Sequence, residues 1–189
     1  MGAQDSELFV ISGPSGAGKG TLVTRVRERR SNLGLTVSAT TRAPRKGEVD
    51  GVNYFFLTRE EFDRRVANGE FVEWAEVHGN CYGTLVSEVT SKLASGASLI
   101  LEIDVQGALQ VKERFPEAVL IFIKPPSLEV LRERLVGRGT ETPETIELRM
   151  ANAADELALA DRYDDVVVND DLDRATDELV RVLDMHERI

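Results

Sequence analysis

The sequence predicts an α/β fold in which a mainly parallel central sheet is flanked by helices. Short apolar runs that are typical of buried strands alternate with longer segments of helical periodicity, and a glycine-rich loop separates the first strand from the first helix. The expected strands are residues 7–12, 35–39, 98–103, 118–123 and 166–168, and the first helix is expected at residues 19–30. This alternation implies right-handed crossovers, which place ligands at the carboxyl ends of the strands.

Several of the intervening helices have recognisable ends. A hydroxyl residue followed three positions later by glutamate predicts an N-terminus, as does a hydroxyl residue directly before proline, and glycine predicts a stop. The predicted starts are Thr58 with Glu61, a point near Thr84, and Thr142 with Pro143, and the predicted ends are Gly69 and Gly96.

The composition is that of one globular domain. A chain of 189 residues with 42% hydrophobic and 30% charged residues can bury a substantial core. Its net charge of −10 argues against broad binding to nucleic acid or to an anionic membrane. The apolar runs are too short to span a bilayer and the N-terminus lacks a basic, apolar leader, so a cytoplasmic location is expected. Cys81, the single cysteine, is expected to be a spectator thiol.

A glycine-rich loop carries the clearest chemical signal. Its residues are Gly13, Pro14, Ser15, Gly16, Ala17, Gly18, Lys19, Gly20 and Thr21. They satisfy the P-loop spacing, in which backbone amides converge on phosphate oxygens and the lysine supplies a mobile positive charge. The helix that follows contributes its positive dipole end and its unpaired amides. We predict that this loop binds the phosphates of ATP and that Lys19 is catalytic.

Position 20 departs from the common form of the loop. It is glycine where most P-loops have the Ser or Thr that contacts Mg²⁺, and the hydroxyl follows at Thr21. The Gly-Lys-Gly-Thr form resembles the nucleoside monophosphate kinases. Mg²⁺ is therefore expected to arrive with the nucleotide and to meet Thr21 directly or through water, whereas two histidines and one cysteine provide no zinc-ligand spacing.

A second informative segment covers residues 38–56. It combines a serine, two arginines three positions apart, Pro/Gly punctuation and a Tyr-Phe-Phe run. Two guanidinium forks and a tyrosine hydroxyl can together surround one phosphate. This segment closely resembles the GMP-binding segment of guanylate kinases. The resemblance implies that Arg42, Arg45 and Tyr54 bind the GMP phosphate and that Arg42 takes part in catalysis.

The strand that follows also resembles guanylate kinases. Alternation along the strand predicts that Glu73 shares a face with Phe71. The resemblance implies that Glu73 accepts hydrogen bonds from guanine N1–H and the 2-amino group, with Ser38 and Thr84 at the base edge and Tyr82 at the phosphate. A carboxylate suits guanine because adenine has an acceptor at N1 and no 2-amino donor. The alternative interpretation is a strand glutamate in an ordinary salt bridge.

The run Leu99–Gly107 is expected to end a buried strand in two carboxylates, Glu102 and Asp104, on one face. In guanylate kinases the corresponding acidic pair lies between the two nucleotides. The resemblance implies that Asp104 either contacts GMP or joins Glu102 in holding metal-bound water.

A third set of arginines brackets a small polar loop. The spacing of Arg134, Arg138 and Arg149 resembles the lid of guanylate kinases, with the first two expected on one helical face. Such a lid would stabilise charge on the transferring phosphoryl group and exclude water. The alternative is ordinary surface charge, to which Arg132 is assigned. Asn169 follows the last strand, and the resemblance implies that it lies near the adenine of ATP.

The resemblance extends from about Leu8 to about Val182 and implies one domain with two appendages. The core is expected at about residues 1–34, 84–136 and 146–189, the GMP-binding insertion at about 35–83 and the lid at about 137–145. The implied activity is direct, in-line transfer of a phosphoryl group from ATP to GMP, and to dGMP, with Mg²⁺. The implied partners are these nucleotides, and neither nucleic acid nor membrane is expected as a partner. Whether the chain forms a homo-oligomer is left open.

Two rival functions are weighed against this hypothesis. One is a kinase for another small phosphate acceptor, which Glu73 and Ser38 disfavour because both suit guanine. The other is a non-catalytic module that keeps the guanylate kinase fold as a protein-binding surface. The intact Lys19 loop and the complete arginine sets argue for an enzyme.

Overall fold

The described part of the chain has an α/β architecture with two sheets. The computed structural model describes residues 6–77, 79–139 and 141–187. His78 of the predicted insertion, Thr140 of the predicted lid and the outermost residues of the predicted core lie outside this description.

The strands and helices alternate along most of the chain. The strands are β1 (Leu8–Ser12), β2 (Gly34–Leu35), β3 (Ala39–Thr40), β4 (Phe55–Phe56), β5 (Phe71–Val77), β6 (Asn80–Leu85), β7 (Leu99–Glu102), β8 (Val119–Lys124) and β9 (Asp165–Val168). The helices are α1 (Lys19–Arg29), α2 (Arg59–Ala67), α3 (Val86–Ala94), α4 (Val105–Arg114), α5 (Leu128–Gly137), α6 (Pro143–Leu157) and α7 (Leu172–His186), with a 3₁₀ turn at Ala160–Arg162.

Over the described residues, the central sheet contains five parallel strands in the order β2-β7-β1-β8-β9. Both faces are covered, as the continuous apolar runs predict. Along β1, Phe9 and Ile11 pack against α1 and α7, whereas Leu8 and Val10 pack on the opposite side against α3 and α4. This confirms the predicted fold class and brings the carboxyl ends of β1 and β7 together at one edge of the sheet.

A second sheet lies within the predicted insertion. In the ranges described, its four strands have the order β4-β3-β6-β5, with β5 and β6 forming an antiparallel pair. Helix α2 covers this sheet, and the rings of Phe62 and Phe71 stack with centroids 4.3 Å apart. The insertion therefore has its own small core, and Cys81 is a free, buried thiol within it.

Two predicted elements are wrong in detail. The single strand expected at residues 35–39 is two short strands, because Leu35 pairs with β7 of the central sheet and Ala39 pairs with β6 of the second sheet. The chain passes from the core into the insertion between them. The helix expected near Thr84 begins at Val86, because Thr84 still belongs to β6.

The predicted helix starts are otherwise confirmed. Thr58 caps α2 by accepting a hydrogen bond from the Glu61 amide at 3.1 Å. Thr142 caps α6, whose first residue is Pro143. A search of the described helices for one long and apolar enough to cross a bilayer finds none.

Candidate active site

The glycine-rich loop connects β1 to α1 and lies against the central sheet. Gly13 has a φ of 139°, and a Cβ there would stand 2.2 Å from the carbonyl oxygen of Ile123. Glycine is therefore required at this position both for the backbone conformation and for the close approach. The Lys19 ammonium, at the start of α1, donates hydrogen bonds to the carbonyls of Gly13 at 2.6 Å and Pro14 at 3.1 Å.

Lys19 lies in a partly desolvated position among acidic groups. Burial lowers its pKa from the ordinary value, and Glu102, Glu156 and Asp104 oppose that shift. Arg138 acts in the same direction as burial. Lys19 therefore interacts electrostatically with the lid and with the end of β7. The surrounding carboxylates favour its charged form.

Asn169 and Arg134 connect the last strand to this loop. The Asn169 side chain is 5% exposed and donates from Nδ2 to the carbonyl of Ala17 at 2.7 Å. The Arg134 guanidinium donates to the Asn169 carbonyl at 2.8 Å. Asn169 therefore supports the backbone of the loop, and its expected position beside adenine stays a prediction.

One of the two residues predicted to hold Mg²⁺ lies beside the start of α1. A carboxylate oxygen of Glu102 would stand 3.4 Å from a Cβ added at Gly20, which is an ordinary van der Waals distance. Thr21 follows and is exposed. Carboxylate and hydroxyl oxygens are the hard ligands that Mg²⁺ prefers, and the donor set therefore fits this ion.

The arginine segment of the insertion converges on two tyrosines. The Arg42 guanidinium lies 5.4 Å from the ring centroid of Tyr54, and the rings of Tyr54 and Tyr82 are 6.3 Å apart. Arg42 Nη2 also donates to both carboxylate oxygens of Glu48, at 2.8 and 3.0 Å. Arg45 donates from its backbone amide to Glu48 at 2.7 Å, and its side chain is exposed. Glu48 thus occupies guanidinium hydrogen-bonding positions that suit an oxyanion.

Glu73 lies on a different face from the one predicted. A bulge between Phe71 and Glu73 shifts the register with β6, so alternation fails there. Phe71 and Trp74 both contact the Phe62 ring, whereas Val72 packs into the core beside α4. Glu73 Oε2 is 3.3 Å from where a Cβ would stand at Gly107, the third residue of α4. The bulge therefore turns Glu73 toward the central domain.

The carboxyl group of Glu73 is almost fully desolvated. The residue is 7% exposed, and burial raises its pKa to about 7 against an opposing contribution from Thr84. Thr84 lies opposite Glu73 in the ladder and is 1% exposed. Its hydroxyl lies beside the Glu73 carboxyl group and acts to lower the pKa of that acid. A buried acid beside a buried hydroxyl is an arrangement that a polar ligand can complete.

Asp104 is not a strand residue, which corrects the expected pair of carboxylates at the end of one strand. β7 ends at Glu102, and Asp104 is the N-cap of α4, where its side chain accepts a hydrogen bond from the Gly107 amide at 2.8 Å. Its charge raises the pKa of Glu73 and acts on Lys19. Asp104 therefore stands between the insertion and the glycine loop, and a cavity of about 500 Å³ opens beside it and Glu156.

The predicted lid arginines divide between two locations. Arg134 lies on α5 and contacts the end of β9, whereas Arg138 follows α5 as its C-cap. Arg149, on α6, donates to the Ser15 hydroxyl in the glycine loop at 2.5 Å. Arg132 forms an exposed ion pair with Glu147, in agreement with its assignment to surface charge.

Three acidic residues that interact with these groups were not among the predicted site residues. Glu48 pairs with Arg42, Glu141 pairs with Arg138 and Arg149, and the charge of Glu156 opposes the lowering of the Lys19 pKa. Each is one acid among 33 in the chain, and each interaction depends on the folding of the chain around the site. An acidic residue next to a conspicuous arginine was the available signal, and it is a weak one.

The parallel sheet, the Lys19 loop at its edge and the arginine-bearing insertion beside it define the class of P-loop nucleotide kinases. Comparison with known proteins narrows this class. A model of the guanylate kinase family matches residues 5–186, so the chain belongs to the guanylate kinase family.

Individual relatives support the same assignment. The guanylate kinase of Gloeobacter violaceus is 57% identical over 178 residues, which cover 94% of this chain and 87% of that protein. The guanylate kinase of Halalkalibacterium halodurans is 53% identical over 176 residues, covering 93% and 86%. A crystal structure of guanylate kinase from Anaplasma phagocytophilum superposes with a TM-score of 0.75 at 36% identity, covering 98% of this chain and 88% of that one. The prediction of an enzyme is confirmed by these relatives.

Proposed function

We propose that the chain transfers the γ-phosphoryl group of ATP to GMP, and to dGMP, giving ADP and GDP or dGDP. The observation that carries this proposal is the buried Glu73 carboxyl group, which lies opposite the buried Thr84 hydroxyl and is electrostatically linked through Asp104 to the P-loop lysine. A desolvated carboxylate rejects a base that offers it no donors, because its own desolvation is then uncompensated. Guanine offers two adjacent donors, N1–H and the 2-amino group.

The insertion supplies the acceptor side of the reaction. Arg42, Arg45, Tyr54 and Tyr82 bind the GMP phosphate, and the phosphate displaces the Glu48 carboxylate from Arg42. This exchange is favourable because a phosphate dianion interacts with a guanidinium fork more strongly than a single carboxylate does. Ser38 and Thr84 bind the base edge, and Asp104 lies between the two nucleotides.

The loop and the lid supply the donor side. The loop amides and Lys19 hold the ATP phosphates, and Arg134, Arg138 and Arg149 neutralise the charge that develops during transfer. A GMP phosphate oxygen attacks the γ-phosphorus in line, the bond from that phosphorus to the β–γ bridging oxygen breaks, and ADP leaves. Water is excluded because it would otherwise compete with the acceptor.

Thr21 and Glu102 would hold Mg²⁺, directly or through water. Mg²⁺ held there would offset the negative charge of the ATP phosphates. A carboxylate oxygen of Glu102 lies beside Gly20, and Lys19 acts against the rise in the Glu102 pKa that burial causes.

The domain boundaries follow from these roles. Residues 35–83 form the GMP-binding insertion, residues 137–145 form the lid, and the remaining residues form the core. The proposed role lies in purine nucleotide metabolism, and the proposed protein is a cytoplasmic, single-domain enzyme whose partners are small nucleotides.

The proposal is tested with ATP and Mg²⁺ against a panel of GMP, dGMP, AMP, CMP and UMP, measuring ADP release. GMP and dGMP are expected to be the efficient acceptors, and Lys19→Met is the inactive control. ATP made chiral with oxygen isotopes at the γ-phosphorus tests direct transfer, for which inversion of configuration is expected.

Other outcomes would select a rival function. AMP acting better than GMP would assign the chain to another acceptor. Absence of ADP release with every acceptor, from a protein that still binds GMP, would favour the non-catalytic module. Retention at the γ-phosphorus would require a covalent phospho-enzyme and would contradict the direct route.

A further inference from the structure

The lid contains a buried carboxylate that meets two of the predicted catalytic arginines. Glu141 directly precedes Thr142, the N-cap of α6, and its side chain is 8% exposed. Oε2 lies 3.1 Å from Arg149 Nε, and Oε1 lies 3.8 Å from Arg138 Nη1. A carboxylate this buried requires positive partners, and these two guanidinium groups provide them.

Arg149 is held at two of its edges. Its Nε faces Glu141, and its Nη1 donates to the Ser15 hydroxyl at 2.5 Å. The hydrogen bond to Ser15 sets the direction of one N–H of the planar guanidinium group, and the Glu141 carboxylate attracts that group as an ion pair. The contact between Arg149 and Ser15 places that plane at the glycine loop, where the ATP phosphates are proposed to lie.

The same carboxylate offsets a concentration of positive charge. Arg138 is close enough to Lys19 to lower the lysine pKa, and Arg149 touches the same loop. Three cations brought together repel one another before any phosphate is bound. Glu141 contacts two of the three and reduces that repulsion without occupying the loop itself.

We propose that Glu141 is a positioning residue that aligns Arg138 and Arg149 for phosphoryl transfer. The inference rests on the proposed function, since the aligned groups act on the γ-phosphoryl group of ATP. Glu141 acts through the two arginines and touches neither nucleotide. Its loss therefore lowers the rate of the chemical step and leaves substrate binding nearly unchanged.

The test compares Glu141→Gln with Glu147→Gln. The control makes the same chemical change one helical turn into α6 and breaks only the exposed ion pair with Arg132. Glu141→Gln is expected to lower kcat by about 10- to 100-fold with each KM within about twofold of wild type, because small misplacement of a catalytic group has effects of that size. Glu147→Gln is expected to keep wild-type kinetics. Melting temperatures without ligand establish that both variants fold.

Two further variants separate positioning from a merely structural effect. Glu141→Asp keeps the charge and is expected to recover part of the lost kcat. In an Arg149→Ala background, Glu141→Gln is expected to cause a smaller further loss, because the nearer of the two groups that it positions is gone.

The inference is overturned if Glu141→Gln matches wild type, if it raises KM at constant kcat, or if its effect is undiminished in the Arg149→Ala background. Should Glu141→Gln not fold, a kcat for Glu141→Asp equal to that of wild type overturns it. These outcomes are interpreted only if the wild-type enzyme phosphorylates GMP. A failure of the proposed function would therefore be detected in the wild-type assay, before any variant is compared.

Discussion

Replacement of Glu73 by glutamine is expected to stabilise the ligand-free protein at alkaline pH while it impairs the use of GMP. The Glu73 carboxyl group is buried, and its pKa is about 7 in the folded protein against an ordinary value of 4.5. Between these two values the folded chain binds more protons than the unfolded chain. The free energy of unfolding therefore falls as the pH rises through this window, and a neutral amide of the same shape does not suffer that loss.

The size of the effect follows from the shift. A difference in pKa from 4.5 to about 7 corresponds to a loss of about 3 kcal/mol at pH 8 and about 1 kcal/mol at pH 5. Glu73→Gln should therefore gain about 2 kcal/mol more at pH 8 than at pH 5. For a chain of 189 residues this equals a difference in the change of Tm of about 4–8 °C.

Differential scanning calorimetry of the wild type and variant at pH 5 and pH 8, without nucleotides, measures this difference. Glu76→Gln is the control, because Glu76 lies on the same strand with an exposed side chain paired to Arg59. Its change in stability is expected to stay within about 0.5 kcal/mol at both pH values. A Glu73→Gln variant whose change in Tm is the same at both pH values, or which is destabilised at pH 8, would refute the reasoning.

Three further predictions concern the loop and the insertion. Lys19→Met should abolish turnover and leave Tm at or above that of wild type, because a partly desolvated charge is removed; measurable turnover would contradict the assigned role. Asn169→Ala should leave the Ala17 carbonyl unpaired, destabilise by about 1–3 kcal/mol and raise the KM for ATP more than that for GMP in steady-state assays; an effect confined to GMP would oppose it. Gly83→Ala should destabilise by about 1–3 kcal/mol in urea unfolding, because its Cβ would stand 2.7 Å from the carbonyl oxygen of Glu73; a neutral result would show that the β5–β6 pair moves apart readily.

The central sheet was predictable because its strands carry local signals. β1, β7 and β8 are buried on both faces and read as continuous apolar runs, and the loop after β1 has a spacing that only a strand and a helix can frame. The split between β2 and β3 was not predictable in the same way. Leu35 and Ala39 look like one apolar strand, and only pairing with two different sheets separates them.

Within the site, the functional residues could be predicted from the sequence, but the directions of their side chains could not. The sequence singled out Glu73, but period-two alternation gave it the face of Phe71, since a bulge has no sequence signal here. Asp104 was expected to end a strand. An aspartate two positions past Glu102 can equally well be a helix N-cap, and Asp104 has that role. Glu141 carries no motif, because its role depends on the folding of α6 back onto the loop that holds Ser15.

Selection of guanine by the buried Glu73 carboxylate is tested most directly by kcat/KM for GMP, IMP and AMP. IMP keeps N1–H and lacks the 2-amino group, whereas AMP lacks both donors. We expect kcat/KM to be highest for GMP, lower by about tenfold or more for IMP and lower by about 10⁴-fold for AMP, with the differences much reduced in Glu73→Gln. Equal kcat/KM for GMP and AMP in the wild type, or undiminished discrimination in Glu73→Gln, would contradict it.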